Sequence, residues 1–138
     1  MSAPRNGFPA AIPLALYLDA HLATFAAGLA EVRCEPAGEL LNSYGSVHGG
    51  IVMSLLDLAV VHAARSPLHA GEAPRPPCVT VSMNTDFMRP AKGRLLARGR
   101  LQGEPGRLAF CDAELLDGED RVCARATAVL RYIADPVD

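Results

Sequence analysis

The chain contains no tryptophan, few aromatic residues and almost no net charge. Aromatic side chains make up 5% of its 138 residues, and its formal net charge at pH 7 is −2. A charge balance this close to neutral does not indicate the basic surface that binds nucleic acid. We therefore expect no nucleic-acid partner and no disordered acidic tail.

Long apolar runs are also absent. No apolar run approaches the ~20 residues that a membrane span requires, so we expect no membrane partner. The stretch GFPAAIPLALYL weakly resembles the centre of a secretory signal, but Asp19 and His21 soon interrupt it. We expect a cytoplasmic protein rather than a secreted one.

The cysteines form no recognisable redox or metal motif. They are Cys34, Cys78, Cys111 and Cys123, and no C-x-x-C pattern joins any two of them. Each lies among apolar or strand-like residues, where a free thiol behaves as a small hydrophobic side chain. No pair of His or Cys residues has the spacing of zinc ligands, so we expect no metal site.

A chain of this length is expected to form a single domain over residues 1–138, because it can bury one ordinary core but not two. Residues 1–29 are interpreted as an N-terminal extension that ends in a short amphipathic helix. Over residues 13–29, apolar side chains recur at three- and four-residue steps, with Pro13 at the expected start and Gly28 near the expected end.

The centre of the sequence predicts a strand, a loop and a long buried helix. AEVRCEP has the composition of a strand, and AGELLNSYGS is rich in the residues of loops. The run from Ile51 to Ala64 is apolar nearly all round and longer than a usual strand, which favours a buried helix. SPLHAGEAPRPP, with four prolines, predicts an irregular connection.

The remaining sequence predicts a meander of about four strands. In CVTVSMNTDFM, Val79, Val81, Met83 and Phe87 are expected on one side of the strand, and polar residues including Thr80 on the other. RLLARGRLQ, RLAFCDAELL and RVCARATAVLRYI follow, separated by the turn-forming segments GEPG and DGED. A helix packed on one face of such a sheet belongs to the α+β class.

Asp57 is the one charged residue between Ile51 and Val61. An ionised carboxylate in apolar surroundings is costly unless something compensates it. In one interpretation Asp57 is structural, either bonded to hydroxyl or backbone partners or exposed on a thin polar edge of the helix. In the other it is a general base or nucleophile in a ligand cleft. Ser54 precedes Asp57 by three residues and shares its helix face.

Gly49 and Gly50 lie where the buried helix is expected to begin. A helix start offers unpaired backbone N–H groups, and the missing side chains let a ligand approach closely. The pair therefore indicates either an oxyanion site for a carbonyl oxygen or a plain glycine turn. His48 is either a catalytic residue or a side chain that stabilises this loop through hydrogen bonds. His62 is expected to be structural or to lie at an interface.

The segments NSYGSVHGG and IVMSLLD together resemble the hotdog-fold acyl-CoA thioesterases of the PaaI-like branch. The signature of that branch is an Asn, a His-Gly-Gly six residues later, and an acidic residue in the central helix nine after the His. Asn42, His48 and Asp57 match it at each point. The likeness continues through VTVSMNTDFMRPAKG and covers about residues 30–133. It implies an α+β hotdog fold, in which an antiparallel sheet wraps around a long central helix.

The resemblance implies a role for each matching residue. Asp57 is expected to act as a base on water or as a nucleophile on the thioester carbonyl, and the Gly49 N–H to hold the oxyanion. Asn42 and Thr80 are expected to position the attacking water, and His48 to shape the turn. In this family the active site lies between two subunits, so the Asp57 side of one would face the glycine turn of the other. A homodimer is then the smallest unit, and a homotetramer is the expected assembly.

The substrate implied by the resemblance is an acyl-CoA, with no metal and no organic cofactor. Gly50 and Ser54 are candidate contacts to the substrate. Arg89 and Lys92 are candidate contacts to the CoA phosphates, although exposed cations at a strand end are equally typical of a solvated surface. The turn GEPGRLAF departs from the family pattern, because a proline intrudes and Arg107 stands about one position from the usual basic residue. Arg107 is the next candidate for this contact.

The sequence therefore predicts hydrolysis of an acyl-CoA thioester to the free acid and CoA. The acyl group is not specified, and Ile51, Met53 and Leu56 are candidates for lining its pocket by analogy alone. A non-catalytic acyl-CoA-binding or sensing module is the alternative, since fold does not fix function. The joint presence of the Asn, Asp and Thr argues against it. A hotdog dehydratase or hydratase is a second alternative, but the motif of that branch is not present.

Overall fold

The computed structural model describes residues 5–133, which form one antiparallel sheet and one long helix. The helical segments are α1 (Pro13–Leu18), a 3₁₀ turn (Gly38–Leu40) and α2 (Gly49–Arg65). The strands are β1 (His21–Ala26), β2 (Leu29–Cys34), β3 (Cys78–Phe87), β4 (Leu95–Gln102), β5 (Leu108–Leu116) and β6 (Val122–Tyr132). Their order across the sheet is β1-β2-β4-β5-β6-β3, and α2 packs against one face. This is the α+β hotdog architecture that the resemblance implies. The predicted meander of four strands is correct only for β4, β5 and β6, because the chain crosses over between β3 and β4 and β3 pairs with β6.

α2 packs on the sheet through its buried side chains and approaches it closely at Gly99 of β4. The buried side chains of α2 are Val52, Leu55, Leu56, Leu58, Ala59, Val60, His62, Ala63 and Ala64. At Gly99, an added Cβ would lie 2.4 Å from the carbonyl oxygen of Ala59. Only a residue without a side chain permits this distance.

Within residues 5–133, no helix has the length and apolar character needed to cross a membrane.

The prediction of a helix over residues 13–29 is wrong after its first turns. α1 ends at Leu18, Asp19 adopts a left-handed conformation with φ 52°, and β1 begins two residues later. β1 and β2 form a hairpin whose turn, Ala27–Gly28, has positive φ at both residues, as a type I′ hairpin turn requires. The Gly28 N–H donates to the Ser66 hydroxyl at 2.8 Å. Contacts with the end of α2 therefore stabilise a turn that local spacing does not reveal.

β3 contains a bulge that changes which side chains face α2. Its pairing with β6 shifts between Thr80 and Ser82, so Val81 is an extra residue in the strand. Thr80 consequently faces α2, on the same side as Met83, while Val79 and Val81 are 42% and 59% exposed on the opposite face. The predicted grouping of the two valines with Met83 is wrong, because regular alternation does not continue through a bulge.

The four cysteines are free thiols, and three of them are buried. Burial raises the pKa of Cys34 and of Cys78 to about 11, and that of Cys111 to about 12. Little reactive thiolate therefore forms at neutral pH. The burial of three free thiols in the core confirms the prediction that the cysteines behave as small hydrophobic side chains.

His62 is a buried, neutral member of the core. It is 2% exposed, its Nδ1–H donates to the Leu58 carbonyl oxygen at 2.7 Å, and its ring packs edge-on against Phe8 and Phe25. Burial lowers the pKa of His62 below its ordinary value of 6.5, and this effect outweighs the opposing hydrogen bond to Leu58. The structural role predicted for His62 is confirmed.

We expect the protein to lose stability as the pH falls below about 6.5, because of His62. In the unfolded chain this imidazole binds a proton near that pH, whereas the folded protein keeps it neutral to lower pH. The unfolded state therefore binds more protons, and acid favours it. Between about pH 7.5 and about pH 5, the thermal midpoint should fall less in His62→Asn, whose amide replaces the Nδ1–H donor without titrating. The same fall in both proteins would contradict this assignment.

Candidate active site

Asp57 and Thr80 form a direct pair between α2 and β3. Thr80 Oγ1 donates a hydrogen bond to Asp57 Oδ1 at 2.6 Å, in a part-buried position. Among the described residues, Asp57 Oδ2 takes part in no hydrogen bond. The bulge at Val81 is the feature that turns the Thr80 hydroxyl toward α2. One carboxylate oxygen is therefore fixed in place, while the other can meet a water or a ligand.

Asp57 lies on a stripe of α2 that residues 5–133 do not cover completely. The stripe follows three- and four-residue steps and consists of Gly50, Ser54, Asp57 and Val61, none of which is buried. Ile51 and Met53 border it and are half-buried, so both can line a pocket. Leu56 is 0% exposed. The expectation that Leu56 lines the pocket is therefore wrong, because its side chain lies within the core.

The start of α2 has one N–H group that the turn itself does not use. His48 is the N-cap residue, and its Nδ1 accepts a hydrogen bond from the Gly50 N–H at 3.0 Å. Ser54 Oγ donates to the Gly50 carbonyl at 2.8 Å, so its proton is committed to the helix backbone. In residues 5–133 the Gly49 N–H has no hydrogen-bond partner. It lies at the positive end of the helix dipole, where an oxygen atom with developing negative charge is stabilised.

Asn42 holds the loop that precedes His48. Its Oδ1 accepts hydrogen bonds from the N–H groups of Tyr44 and Ser46 at 2.9 and 3.1 Å, and its Nδ2 donates to Ser46 Oγ at 2.9 Å. These contacts form a turn closed by the Asn side chain. They leave one of the two Nδ2 hydrogens for another acceptor, since a carboxamide has two.

A cleft of about 410 Å³ runs from this loop to the end of β3. It is lined by Asn42, Gly49, Phe87 and Arg89, among others. The Phe87 ring lies beside Gly49, where an added Cβ would be 3.4 Å from the ring. The sequence did not identify Phe87 as a site residue, because an apolar residue in a strand is expected to lie in the hydrophobic core. The structure shows that the Phe87 side chain is 55% exposed, so it is available to a ligand or partner in the cleft.

The structure does not bring the candidate residues into one cleft of a single chain. Asn42, Gly49 and Arg89 line the cleft, whereas Asp57 and Thr80 do not. β3, which carries Thr80, is the outermost strand on its side of the sheet, so its outer edge can pair with another chain. The chain therefore contains two separate groups of candidate residues.

The three candidate phosphate contacts lie at two ends of the sheet. Arg89 lines the cleft, and Lys92 is exposed just before β4 begins. Arg107 is exposed in the turn after β4. β4, which has 8 residues, lies between Lys92 and Arg107. A strand of that length spans roughly 27 Å.

Within residues 5–133, no group of three or more His, Cys, Asp or Glu side chains is placed to hold a metal ion.

Solved structures share this architecture. The E. coli PaaI protein, from the phenylacetic acid degradation operon, superposes with a TM-score of 0.80 at 22% identity over 92% of this chain and 88% of that chain. A mutant of the phenylacetic acid degradation protein PaaI from Thermus thermophilus superposes with a TM-score of 0.77 at 26% identity, over 88% of this chain and 100% of that chain. The first likeness shows the fold, and the second adds sequence similarity to it.

Sequence comparisons point to the same group of enzymes. A protein of Saccharolobus solfataricus named "Putative esterase" is 31% identical over 83 residues, which are 59% of this chain and 52% of that protein. The chain thus spans about half the length of this relative. A Sulfurisphaera tokodaii protein of the same name is 28% identical over 78% of this chain and 77% of its own. The family model of the thioesterase superfamily matches residues 44–124. The resemblance to PaaI-like hotdog thioesterases is confirmed, and the chain belongs to the thioesterase superfamily.

Proposed function

We propose that this protein hydrolyses acyl-CoA thioesters, with Asp57 as the reacting carboxylate. Membership of the superfamily supports thioester hydrolysis in general. The observation that carries the finer proposal is the Asp57–Thr80 pair, because it fixes Oδ1 and leaves Oδ2 without a partner among the described residues. A positioned carboxylate of this kind can remove a proton from water or attack a carbonyl carbon.

The reaction is an attack on the thioester carbonyl followed by loss of the thiol. In one route, Asp57 Oδ2 takes a proton from water while the water oxygen bonds to the carbonyl carbon. In the other, Oδ2 bonds to that carbon itself and water later cleaves the anhydride. In both, negative charge develops on the carbonyl oxygen, where the Gly49 N–H stabilises it. Collapse breaks the C–S bond, and the CoA sulfur leaves as a thiolate that then accepts a proton.

A second copy of the chain completes this site in our proposal. Two chains that pair through the outer edges of their β3 strands, about a twofold axis normal to the sheet, extend the sheet and bring a second glycine turn toward Thr80. The incompletely covered stripe of α2 and the separation of Asp57 from the cleft both support such a partner. Asn42 and Gly49 of one copy would then face Asp57 and Thr80 of the other. A dimer is the smallest active unit, and a tetramer is the expected assembly.

We expect Arg89→Gln and Lys92→Gln each to raise KM for acyl-CoA about fivefold with little change in kcat, because each loses a contact of ~1 kcal/mol to a phosphate. The effect should shrink in high salt, which screens exposed charges. Arg94→Gln is the matched control, since Arg94 is an exposed arginine beside the same strand end whose nearest acidic partner is Glu35. An unchanged KM in the first two variants would assign the phosphate contact to Arg107.

A panel of acyl-CoA thioesters, followed by release of the thiol, tests the proposed function. Hydrolysis of at least one thioester, faster than that of the oxygen ester with the same acyl group, is the expected result. Binding of acyl-CoA without turnover would favour the alternative, a non-catalytic binding or sensing module. The panel also identifies the acyl group, for which Ile51 and Met53 remain candidate contacts. The absence of a cofactor and the cytoplasmic location stay predictions.

A further inference from the structure

Two arginines, Arg65 and Arg75, lie side by side at the C-terminal end of α2. The Arg75 N–H donates to the Arg65 carbonyl oxygen at 2.8 Å, and Arg65 Nε donates to the Arg75 carbonyl oxygen at 3.4 Å. The Arg75 guanidinium lies over the Tyr132 ring, 5.3 Å from its centre, and its Nε donates to Tyr132 Oη at 3.4 Å. The Tyr132 hydroxyl in turn donates to the Ala64 carbonyl oxygen of α2 at 2.5 Å. The fold therefore holds both arginines in place.

Neither of these guanidinium groups has an acidic partner among residues 5–133. Within that range each side chain donates only through its Nε–H, so the terminal N–H groups remain for another acceptor. Both side chains are half-buried, and two neighbouring positive charges repel more strongly away from water. The dipole of α2 offsets part of this repulsion. An anion bound between the two guanidinium groups would offset more of it.

Arg65 lies beyond Asp57 in the direction of the incompletely covered stripe of α2. It follows Val61, the last residue of the stripe, by four residues, which is one further helical turn on the same side. Arg65 follows Asp57 by eight residues, so their Cα atoms lie roughly 12 Å apart along the helix axis. The carboxylate proposed to react and the pair of arginines are thus at two points of one surface of α2.

The surface between these charges is apolar. Val61 of α2 and Cys78 of β3 lie there, both half-buried, and the Cys78 thiol contacts the Val61 carbonyl oxygen at 3.6 Å. Burial raises the pKa of Cys78 to about 11, while the charge of Arg65 lowers this pKa and that of Asp57 raises it, so the thiol is near both charges. Methylene groups fit such a surface, whereas the amides of the pantetheine arm of CoA need hydrogen-bond partners.

We propose that Arg65 and Arg75 bind a carboxylate at the far end of the acyl group, so that the preferred substrate is the CoA thioester of a dicarboxylic acid. This inference rests on the proposed function, because it places the thioester carbonyl at Asp57. The methylene groups of the acyl chain then lie along Val61 and Cys78, and the terminal carboxylate accepts hydrogen bonds from the two guanidinium groups. The charge of Asp57 favours this orientation, since it repels the terminal carboxylate.

Pairs of thioesters that differ only at the end of the acyl chain test this inference. Adipoyl-CoA is compared with hexanoyl-CoA, and suberoyl-CoA with octanoyl-CoA. In at least one pair we expect kcat/KM to be about tenfold higher for the dicarboxylic member, the usual effect of hydrogen bonds to a charged group. Arg65→Gln and Arg75→Gln should each remove most of this preference, whereas Arg65→Lys keeps the charge and should retain part of it. Arg94→Gln is the matched control and should leave the preference unchanged, because Arg94 is an exposed arginine whose nearest acidic partner is Glu35.

The preference is a ratio of two rates, so a loss of folded protein does not change it and a purely structural role of the arginines leaves it intact. A parent protein that prefers neither dicarboxylic thioester, or a preference that both glutamine variants keep, would overturn the inference. An equal loss for both members of a pair would also overturn it, because the arginines would then bind the phosphates of CoA. If the parent hydrolyses no thioester, the proposed function fails. The affinities for the same pairs, measured by calorimetry, then decide this inference by the same criteria.

Discussion

The Asp57→Asn variant is expected to lose about 10²–10⁴-fold in kcat, the usual contribution of a positioned base, while it keeps its fold and its affinity for acyl-CoA. The amide is nearly isosteric with the carboxylate, and its oxygen can still accept the Thr80 hydrogen bond that fixes Oδ1. The NH₂ group that replaces Oδ2 can neither take a proton from water nor attack a carbonyl. The variant therefore removes the reacting atom and preserves the contact that positions it.

A purely structural Asp57 predicts the opposite result for this variant. Stability would fall, because the carboxylate and its hydrogen bond would be altered, while turnover per folded molecule would stay at the parent level. Thermal midpoint, acyl-CoA affinity and thiol release, measured on one preparation, separate the two cases. Glu104→Gln is the control, since it removes an exposed carboxylate in the turn after β4. Hydrolysis at the parent rate by Asp57→Asn would refute the proposed role.

The parts of the fold that local signals specify could be predicted from the sequence. The apolar run and the glycine pair predicted a helix over Ile51–Ala64, and α2 spans Gly49–Arg65. β4, β5 and β6 form a meander as predicted, because Gly, Pro and Asp mark the two turns between them. The place of β3 was predicted wrongly, because β3 pairs with β6 and not with β4, and local turn signals do not specify such a long-range pairing. The β1–β2 hairpin could not be predicted in this way. Its Ala27–Gly28 turn depends on a hydrogen bond to Ser66, which is distant in sequence.

The bulge in β3 is the second feature that the sequence did not reveal, and the Asp57–Thr80 pair depends on it. A bulge is defined by the register of two strands, here β3 and β6, and neither sequence alone specifies that register. If Val81 were instead a regular member of the strand, alternation would place Thr80 on the face opposite Met83, away from α2. The resemblance named Thr80 as a site residue, but the structure supplies the reason that its hydroxyl reaches Asp57.

The sequence indicated which residues belong to the candidate site, but it did not specify how they are arranged in space. The spacing of Asn42, His48 and Asp57 identified the residues, and the structure gives each of them a defined set of contacts. The cleft beside Gly49 nevertheless excludes Asp57. A site formed between two copies depends on how the copies associate, and that information lies in the surfaces of β3 and α2 rather than in a local motif.

The Gly99→Ala variant is expected to lose about 3 kcal/mol of stability, the upper end of the usual range for overpacking a core. The added Cβ would lie 2.4 Å from the Ala59 carbonyl oxygen and 3.1 Å from the Val60 nitrogen, both of which belong to the backbone of α2. A helix backbone cannot rotate away as a side chain can, so α2 must move from the sheet. The thermal midpoint should fall by roughly 10 °C.

The same displacement should reduce activity beyond the loss of folded protein, because Asp57 lies only two residues before Ala59 and its hydrogen bond to Thr80 is 2.6 Å long. A shift of α2 lengthens that contact and leaves Oδ1 unfixed. Gly118→Ala is the matched control, since an added Cβ at Gly118 meets nothing within 4 Å and its φ is not in the left-handed region. Its free energy of unfolding should stay within about 0.5 kcal/mol of the parent value. If Gly99→Ala unfolds at the parent temperature, α2 does not lie this close to β4, and the positioning of Asp57 against Thr80 has to be reconsidered.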